Sequence, residues 1–338
     1  TKLMFNQTSG TTGTPLKVFM NADISQNWTA LIEARVRNWA NIQWGDRWAM
    51  IGGQLVTEIN RKKPPFWVWN KAFNQLYMSS YHMKESNLIH YLDEIKKRKI
   101  VYIYGYATSI YLLAKASIKF NYQLNLKAVF SNAEPLYDSY RSCIEEAFKC
   151  DVRNTYSGSE MVCLASECYK GELHISPDSG YVEIIDDNQR LCKPGEVGEI
   201  VATCFTNDLF PMIRYRTGDF GAIVEKECEC GMNMNVLTKL VGRQDDIIYS
   251  KNGTPVSRMD PVFKNHFPIK LAQIEQINLD KIICRIVPDI NFSDKTDEKI
   301  KVEIRKRLGD IEVEIIIKDK IELSKNGKFR AVINRMNV

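Results

Sequence analysis

The chain has 338 residues, 44% of them hydrophobic, and 46 Lys and Arg against 41 Asp and Glu give a formal net charge of +5. That length buries a full core and exceeds the usual single domain, so one large and one small domain are expected. The mild, scattered charge argues against a nucleic-acid partner, and the longest uncharged stretch, Ile100 to Ala114, is too short and too rich in Tyr to span a bilayer.

No charged start followed by an apolar run opens the chain, which places the protein in the cytoplasm. Without a secretion signal, nine Cys read as thiols rather than as a disulfide framework. The basic runs Arg61-Lys62-Lys63 and Lys96-Lys97-Arg98-Lys99 are short enough to be solvated faces.

In chain order, Gln7–Val18 packs Thr, Ser, Gly and Pro between an apolar lead-in, Leu3 to Phe5, and an apolar exit at Val18 and Phe19. Gly10 and Gly13 take positive φ without a Cβ penalty. Backbone N–H groups can therefore converge on an anion beside the hydroxyls of Thr8, Ser9, Thr11, Thr12 and Thr14. The segment is not a P-loop, because Pro15 stands where that motif needs its second glycine; a flexible Ser/Thr/Gly linker is the alternative. Thr1 opens the chain with no strand–helix units ahead of this loop to form a sheet beneath it, so the sequence reads as a fragment.

Apolar residues at helical spacing predict a helix over Ile24 to Ala40, and Trp48 to Val56 reads as a buried strand running into a glycine turn. Residues 61–74 are basic, Pro-containing and aromatic; with no nucleic-acid module around them they read as a loop with anchoring Trp side chains. Leu88 to Arg98 is an amphipathic helix, Ile100 to Tyr104 a strand, and Ser109 to Lys119 a helix opened by a capping hydroxyl. Lys127 to Asn132 is a strand ending in Ala133-Glu134-Pro135, Asp138 to Phe148 a helix, and Val152 to Tyr156 a strand ending in Ser157-Gly158-Ser159-Glu160. This alternation implies an α/β core with a substantially parallel sheet, whose strand C-termini bind ligands. Glu134 and Glu160 occupy such ends.

From Gly180 to Val224 strands alternate with Gly, Pro and Asp turns, an antiparallel β-rich module in which Tyr215-Arg216-Thr217-Gly218-Asp219 sets an acid at a turn beside two arginines. The domain boundary falls in Lys239 to Asp246. The large domain is then 1–242, with an α/β core to about 175 and the β-rich module from about 176, and the small domain is 243–338. Within the latter, strand Ile282–Val287, a helix from Thr296 to Leu308 stopped by Gly309, and strand Ile311–Ile317 make a β-α-β unit.

TSGTTGTP at Thr8–Pro15, YSGSE at Tyr156–Glu160, YRTGD at Tyr215–Asp219, GRQDD at Gly242–Asp246 and NGKFR at Asn326–Arg330, each at a predicted turn, together resemble the adenylate-forming superfamily of acyl-CoA synthetases and adenylation domains. The Ala133-Glu134-Pro135 turn and the doubled Asp245-Asp246 are similar to its phenylacetate–CoA ligase and CapK-like branch, and the short C-terminal domain with SKNGTPVSRMD leans toward CapK-like. The resemblance spans nearly the whole chain. It implies a large N-terminal domain, parallel-sheet α/β core plus β-rich module, with a small mobile α+β lid, and a part of the large domain missing ahead of Thr1.

The activity so implied is that of an AMP-forming ligase. A carboxylic acid and Mg·ATP give acyl-AMP and pyrophosphate, after which CoA takes the acyl group. Alternatives are transfer to an amine or sugar in surface-polysaccharide synthesis, and a non-catalytic nucleotide-binding module. A homodimer is a candidate assembly.

The resemblance also implies roles. Thr8, Ser9, Gly10, Thr11, Thr12 and Gly13 wrap the β- and γ-phosphates, and Glu160 holds Mg²⁺. The backbone of Tyr156, Ser157, Gly158 and Ser159 and the turn Ala133, Glu134, Pro135 flank adenine and ribose. Asp219 accepts from the ribose hydroxyls, Arg243 reaches ribose or phosphate, and catalytic Lys328 points its charge at the α-phosphate. Asp245 is the hinge about which the lid swings, and the loop at Gly253 faces the site in the second step. Taken singly, Glu160 is a helix N-terminal acid, Asp219 a turn residue and Lys328 a solvated hairpin lysine; their joint order favours function.

Two soft ligands from each of two segments, Cys168 with His174 and Cys228 with Cys230, match a structural Cys₃His zinc site, with ordinary core cysteines as the alternative. The other six cysteines show no ligand spacing and read as packing. Tyr104 to Ser109 stands where relatives carry a Pro-containing turn lining the acyl pocket, and here it has no Pro. Tyr102, Tyr104, Tyr106 and Phe130 line either a pocket for an aryl or short acyl acid or the core.

Overall fold

A computed structural model describes residues 2–7, 16–58, 60–134, 136, 138–186, 188–238, 240, 248–256, 259, 262–263, 267–321 and 332–336, and all structural statements concern these. The chain opens with a hairpin of β1 (Met4–Gln7) and β2 (Lys17–Met20), followed by α1 (Ala22–Ile32). Asn21 caps α1, its Oδ1 accepting the Ile24 N–H at 2.8 Å, and wider and tighter turns over 33–40 carry the helix to Ala40 as the spacing predicts.

β3 (Trp48–Gly52), β4 (Trp67–Asn70), β5 (Gln75–Ser79), α2 (Glu85–Arg98), β6 (Tyr102–Tyr106), α3 (Ala107–Lys119), β7 (Ala128–Asn132), α4 (Asp138–Phe148) and β8 (Asp151–Tyr156) then build the expected α/β core. Strands β5, β3, β6, β7 and β8 are neighbours in that order and all parallel. Side chains alternate across them. Ala49, Ile51, Leu76, Ile103, Val129 and Val152 face a core closed by α2, α3 and α4, whereas Tyr102, Ala128 and Phe130 face Val36, Ala40 and Ile42 beyond α1. The sheet is therefore covered on both faces, and its ligand-binding edge is the line of strand C-termini.

Two local expectations change. Within 61–74, Trp67–Asn70 is an antiparallel edge strand on β5 rather than loop, because Trp67 packs edge-on to Tyr91 at 5.6 Å and Trp69 lies under Arg98 at 4.7 Å. Ser109 does not cap its helix; α3 starts at Ala107, and the Glu134 carboxylate accepts the Thr108 N–H at 2.9 Å instead.

β9 (Ala165–Glu167), β10 (Leu173–Ile175), β11 (Gly180–Ile185), β12 (Gly198–Cys204), β13 (Tyr215–Val224) and β14 (Val236–Thr238) are antiparallel, as the turn spacing predicts. They do not form a separate layer. β9 pairs with β8 and β14 with β10, giving one twelve-stranded sheet in the order β11-β12-β13-β14-β10-β9-β8-β7-β6-β3-β5-β4.

Beyond it lie a short hairpin, β15 (Ile248–Tyr249) and β16 (Pro255–Val256), and then β17 (Ile269–Gln276), β18 (Lys281–Pro288), α5 (Asp294–Leu308), β19 (Glu312–Ile317) and β20 (Val332–Asn334). The predicted β-α-β unit is β18-α5-β19, parallel, in a four-stranded sheet β19-β18-β17-β20 with its own core around Ile274, Cys284, Ile300 and Leu308. Gly309 ends α5 at φ 88, where a side chain is disfavoured. The fold is thus a large α/β unit with a smaller C-terminal one. Among the described residues no helix is long and apolar enough to cross a membrane.

Candidate active site and cysteine cluster

The predicted phosphate loop joins β1 to β2, whose register sets Gln7 opposite Lys17. Thr8, Ser9, Gly10, Thr11, Thr12 and Gly13 lie outside the described residues, as do Pro135, Arg243, Asp245 and Lys328. The base of the loop is anchored. Val18 and Leu16 pack in one cluster with Tyr156, Tyr215 and Met212, and the Asn207 amide donates to the Phe19 carbonyl at 2.8 Å. The loop therefore springs from beside the end of β8.

At that place YSGSE and YRTGD lock together. The Tyr156 hydroxyl donates to Asp219 Oδ2 at 3.0 Å, and the Tyr215 hydroxyl donates to Glu160 Oε1 at 3.0 Å. Each motif's leading tyrosine holds the other motif's closing carboxylate. Burial and the Asp219 charge raise the Tyr156 phenol far above its ordinary value, so it stays a neutral donor. Each carboxylate has a second oxygen, and one accepted bond does not exhaust its acceptor capacity.

The backbone is shaped to the same end. The turn after β8 closes with Met161 N–H on the Gly158 carbonyl at 3.1 Å and puts Met161 at φ 55. A Cβ on Gly158 would collide with the Glu160 carboxylate, so glycine is needed for that carboxylate to fold back over its own turn. Gly218, at φ 74, precedes Asp219, whose N–H donates to Thr217 Oγ1 at 3.1 Å. Ala133, at the end of β7, takes φ 61, an uncommon conformation for a residue with a side chain and one that marks a shaped turn.

Several sequence expectations shift in detail. Glu134 fastens its turn to the start of α3, satisfying a helix N-terminal donor where the dipole favours an anion. The two arginines near Asp219 pair with other acids, Arg216 of YRTGD with Glu199 and Arg214, just before the motif, with Glu183. Of the pocket aromatics, Tyr102 and Phe130 are core residues, while Tyr104 hydrogen-bonds Thr155 at 3.1 Å and Tyr106 stands half-buried at a strand end. The role of Tyr215 was not legible from the sequence, although its place at the head of YRTGD was a signal. Cys163, read as packing, is buried near both carboxylates, and burial followed by Asp219 and Glu160 pushes its thiol up to about 12.

The cysteine pairs converge as predicted. Leu173 opposes Glu167 across β9–β10, and His174 opposes Val236 across β10–β14, which brings the 228–230 turn over the 168–174 hairpin. Cys168 Sγ lies 3.8 Å from Cys228 Sγ and Cys230 Sγ lies 3.3 Å from His174 Nε2, with all four ligand atoms within 4.8 Å of one another. Thiolates tetrahedrally placed at about 2.3 Å from one zinc would stand about 3.8 Å apart, so both donor types and spacing fit that ion. His174 Nδ1 is 3.4 Å from the Met234 carbonyl oxygen, an acceptor that keeps the proton there and turns Nε2 to the cluster.

Comparison with known proteins identifies the family. The family described as the CapK C-terminal domain matches residues 248–335. Protein CapK of Staphylococcus aureus is 31% identical over 352 aligned positions, covering 99% of this chain and 75% of that protein. The chain belongs to the CapK family. It is a member of the adenylate-forming superfamily in the branch that also holds the phenylacetate–CoA ligases. The CapK-family chain is 29% identical to phenylacetate-coenzyme A ligase of Thermus thermophilus over 131 residues, 37% of this chain and 29% of that protein. In solved structures, 2-hydroxyisobutyryl-CoA ligase, bound to 2-HIB-AMP and CoA, shares the fold at TM-score 0.56 and 20% identity, covering 98% of this CapK-family chain and 73% of that one.

Proposed function

We propose that this chain activates a carboxylic acid with Mg·ATP, releasing pyrophosphate, and passes the acyl group of the resulting acyl-AMP to CoA. The observation that carries the reading is the crossed pair of phenol–carboxylate bonds, which holds Asp219 and Glu160 on two tyrosines that pack with Val18 and Leu16 at the base of the Ser/Thr/Gly loop. Asp219 would accept from the ribose hydroxyls. Tyr156, as a neutral donor, keeps that carboxylate aimed. Glu160, oriented by Tyr215, would hold Mg²⁺, a hard cation suited to carboxylate and phosphate oxygens, which would offset charge on the leaving pyrophosphate. The loop at 8–13 would bind the β- and γ-phosphates with amides and hydroxyls, and the Ala133–Pro135 turn would flank the base.

Lys328 would bring its ammonium to the α-phosphate and the attacking carboxylate, where negative charge concentrates in the transition state. The unit 243–338 would act as a lid on 1–242, hinged at Asp245, and its rotation would exchange Lys328 for the Gly253 loop before acyl transfer. The dependence on Mg·ATP and CoA suits a cytoplasmic enzyme. The four-ligand cluster would hold one structural zinc tying β9, β10 and the 228–230 turn together; with every ligand a protein side chain it would do no chemistry.

Pyrophosphate release with Mg·ATP and a panel of carboxylic acids tests the first step, and no acid-dependent release overturns it. A second reading, transfer of the acyl group to an amine or sugar in surface-polysaccharide synthesis, is favoured by the match to CapK along 99% of the chain against 37% for the Thermus ligase. Adding CoA discriminates: thioester formation supports the first acceptor, and acyl-AMP that persists until an amino sugar is supplied supports the second.

A further inference from the structure

The C-terminal ends of β3, β5 and β6 carry residues that nucleotide binding leaves unused. Tyr77 of β5 lies opposite Met50 of β3, which lies opposite Tyr104 of β6, so these side chains share the sheet face away from α2–α4. The chain leaves β3 through Gly52-Gly53. A Cβ on Gly52 would stand 2.9 Å from Tyr77 Oη and one on Gly53 2.7 Å from Tyr106 Oη, so only glycine lets both phenols lie across this strand end. The turn is pinned from above, Ser80 Oγ donating to the Gly52 carbonyl at 2.9 Å and the Tyr81 hydroxyl to the Gly53 carbonyl at 2.8 Å.

Tyr77 is distinctive within the group. The Gln54 backbone N–H lies near its oxygen, and the phenol has its own proton to give. Among the described residues no acceptor takes that proton. Burial, with Tyr106 and Tyr81 nearby, pushes the phenol up to about 12, so the proton stays in place at neutral pH. The donor stands at the ligand-binding edge of a parallel sheet. Gly52 is two strands from the Ala133 turn, and at the spacing of neighbouring strands that is about 10 Å from the nucleotide edge, where the far end of an acid would reach rather than its carboxylate.

We propose that Tyr77 is a specificity residue whose hydroxyl donates to an oxygen at the distal end of the acyl substrate, selecting aryl or short acyl acids that carry a hydroxyl, ether or carbonyl oxygen there. The inference rests on the ligase reading above and deepens it. An acid lacking the oxygen would cover the half-buried Tyr77 hydroxyl without pairing it, and sites built to bond a substrate oxygen discriminate against such analogues.

The test is acid-dependent pyrophosphate release by wild type and Tyr77→Phe with matched pairs: phenylacetate and 4-hydroxyphenylacetate, benzoate and 4-hydroxybenzoate, butyrate and 4-hydroxybutyrate. In the pairs that react, the oxygenated acid is expected to exceed its parent about tenfold in kcat/KM, and Tyr77→Phe to bring it down to the parent. The parent acid should keep its wild-type rate in the variant, which also shows that the variant folds. Equal use of both members by wild type, or a variant that slows both alike, overturns the inference and leaves the ligase reading standing. Absence of release with every acid overturns the ligase reading and the inference with it.

Discussion

Removing one hydroxyl at a time separates the two halves of the carboxylate exchange. Tyr215→Phe removes the hydroxyl that donates to Glu160 Oε1 at 3.0 Å, and Tyr156→Phe the hydroxyl that donates to Asp219 Oδ2 at the same distance. Phe keeps each ring in the cluster with Val18 and Met212. A hydrogen bond to a charged partner contributes about 1.5–3 kcal/mol when well enclosed, and both sites are half-open, so the lower end applies. At about 1.4 kcal/mol per decade, each variant should weaken its own ligand by about tenfold. The ligands differ. Tyr215→Phe should raise the Mg²⁺ concentration needed for half-maximal pyrophosphate release, at unchanged ATP KM under saturating Mg²⁺. Tyr156→Phe should raise the ATP KM with the Mg²⁺ requirement unchanged. The assay is initial-rate pyrophosphate release across a grid of ATP and Mg²⁺ concentrations. If the two variants move both parameters in the same ratio, Asp219 and Glu160 do not divide ribose from metal. If neither parameter moves, the exchange is packing alone.

Lys328→Ala should slow adenylation strongly while ATP affinity, measured by calorimetry, stays near wild type; undiminished pyrophosphate release removes Lys328 from the mechanism. Elemental analysis after dialysis should find about one zinc per chain, and Cys168→Ser should abolish it and lower the melting temperature of the large unit. A preparation that is metal-free yet equally stable refutes the cluster. Glu134→Ala removes the carboxylate on the Thr108 N–H, and loss of such a cap costs about 1 kcal/mol in urea denaturation; no loss would mean that water replaces it fully. Burial pushes the Glu275 carboxyl up, but hydrogen bonds from Arg335 and Arg285 outweigh it and hold the group below its ordinary range. Its contribution to stability is therefore present above the unfolded value of about 4.3 and lost as pH falls through the lower folded one. The stability difference between wild type and Glu275→Gln should shrink on acidification, and a difference that is constant with pH contradicts that balance.

Much of the molecule was legible before its structure. Strand and helix periods placed α4 at Asp138–Phe148 and the unit β18-α5-β19, because a local pattern of apolar positions states which face an element buries. The strand Trp67–Asn70 has no local signature, because its Trp side chains pack on Tyr91 and Arg98, residues of a later helix. Locally, Ser109 is the expected cap of α3, because a hydroxyl near a helix start is the usual solution. Glu134, brought alongside by the adjacent strand, fills that place.

By itself the sequence determined the order of elements, the motifs at their ends, the chemistry those motifs could offer and the four candidate metal ligands. Only the tertiary structure decided that YSGSE and YRTGD hold one another's carboxylates, that two hairpins bring Cys168, His174, Cys228 and Cys230 within 4.8 Å, and that the β-rich segment extends the parallel sheet instead of standing apart. The reason is that side-chain period encodes the kind of element and its buried face, which are properties of a few consecutive residues. The choice of strand partner depends on burial and hydrogen bonding between segments far apart in the chain, and no local pattern carries it.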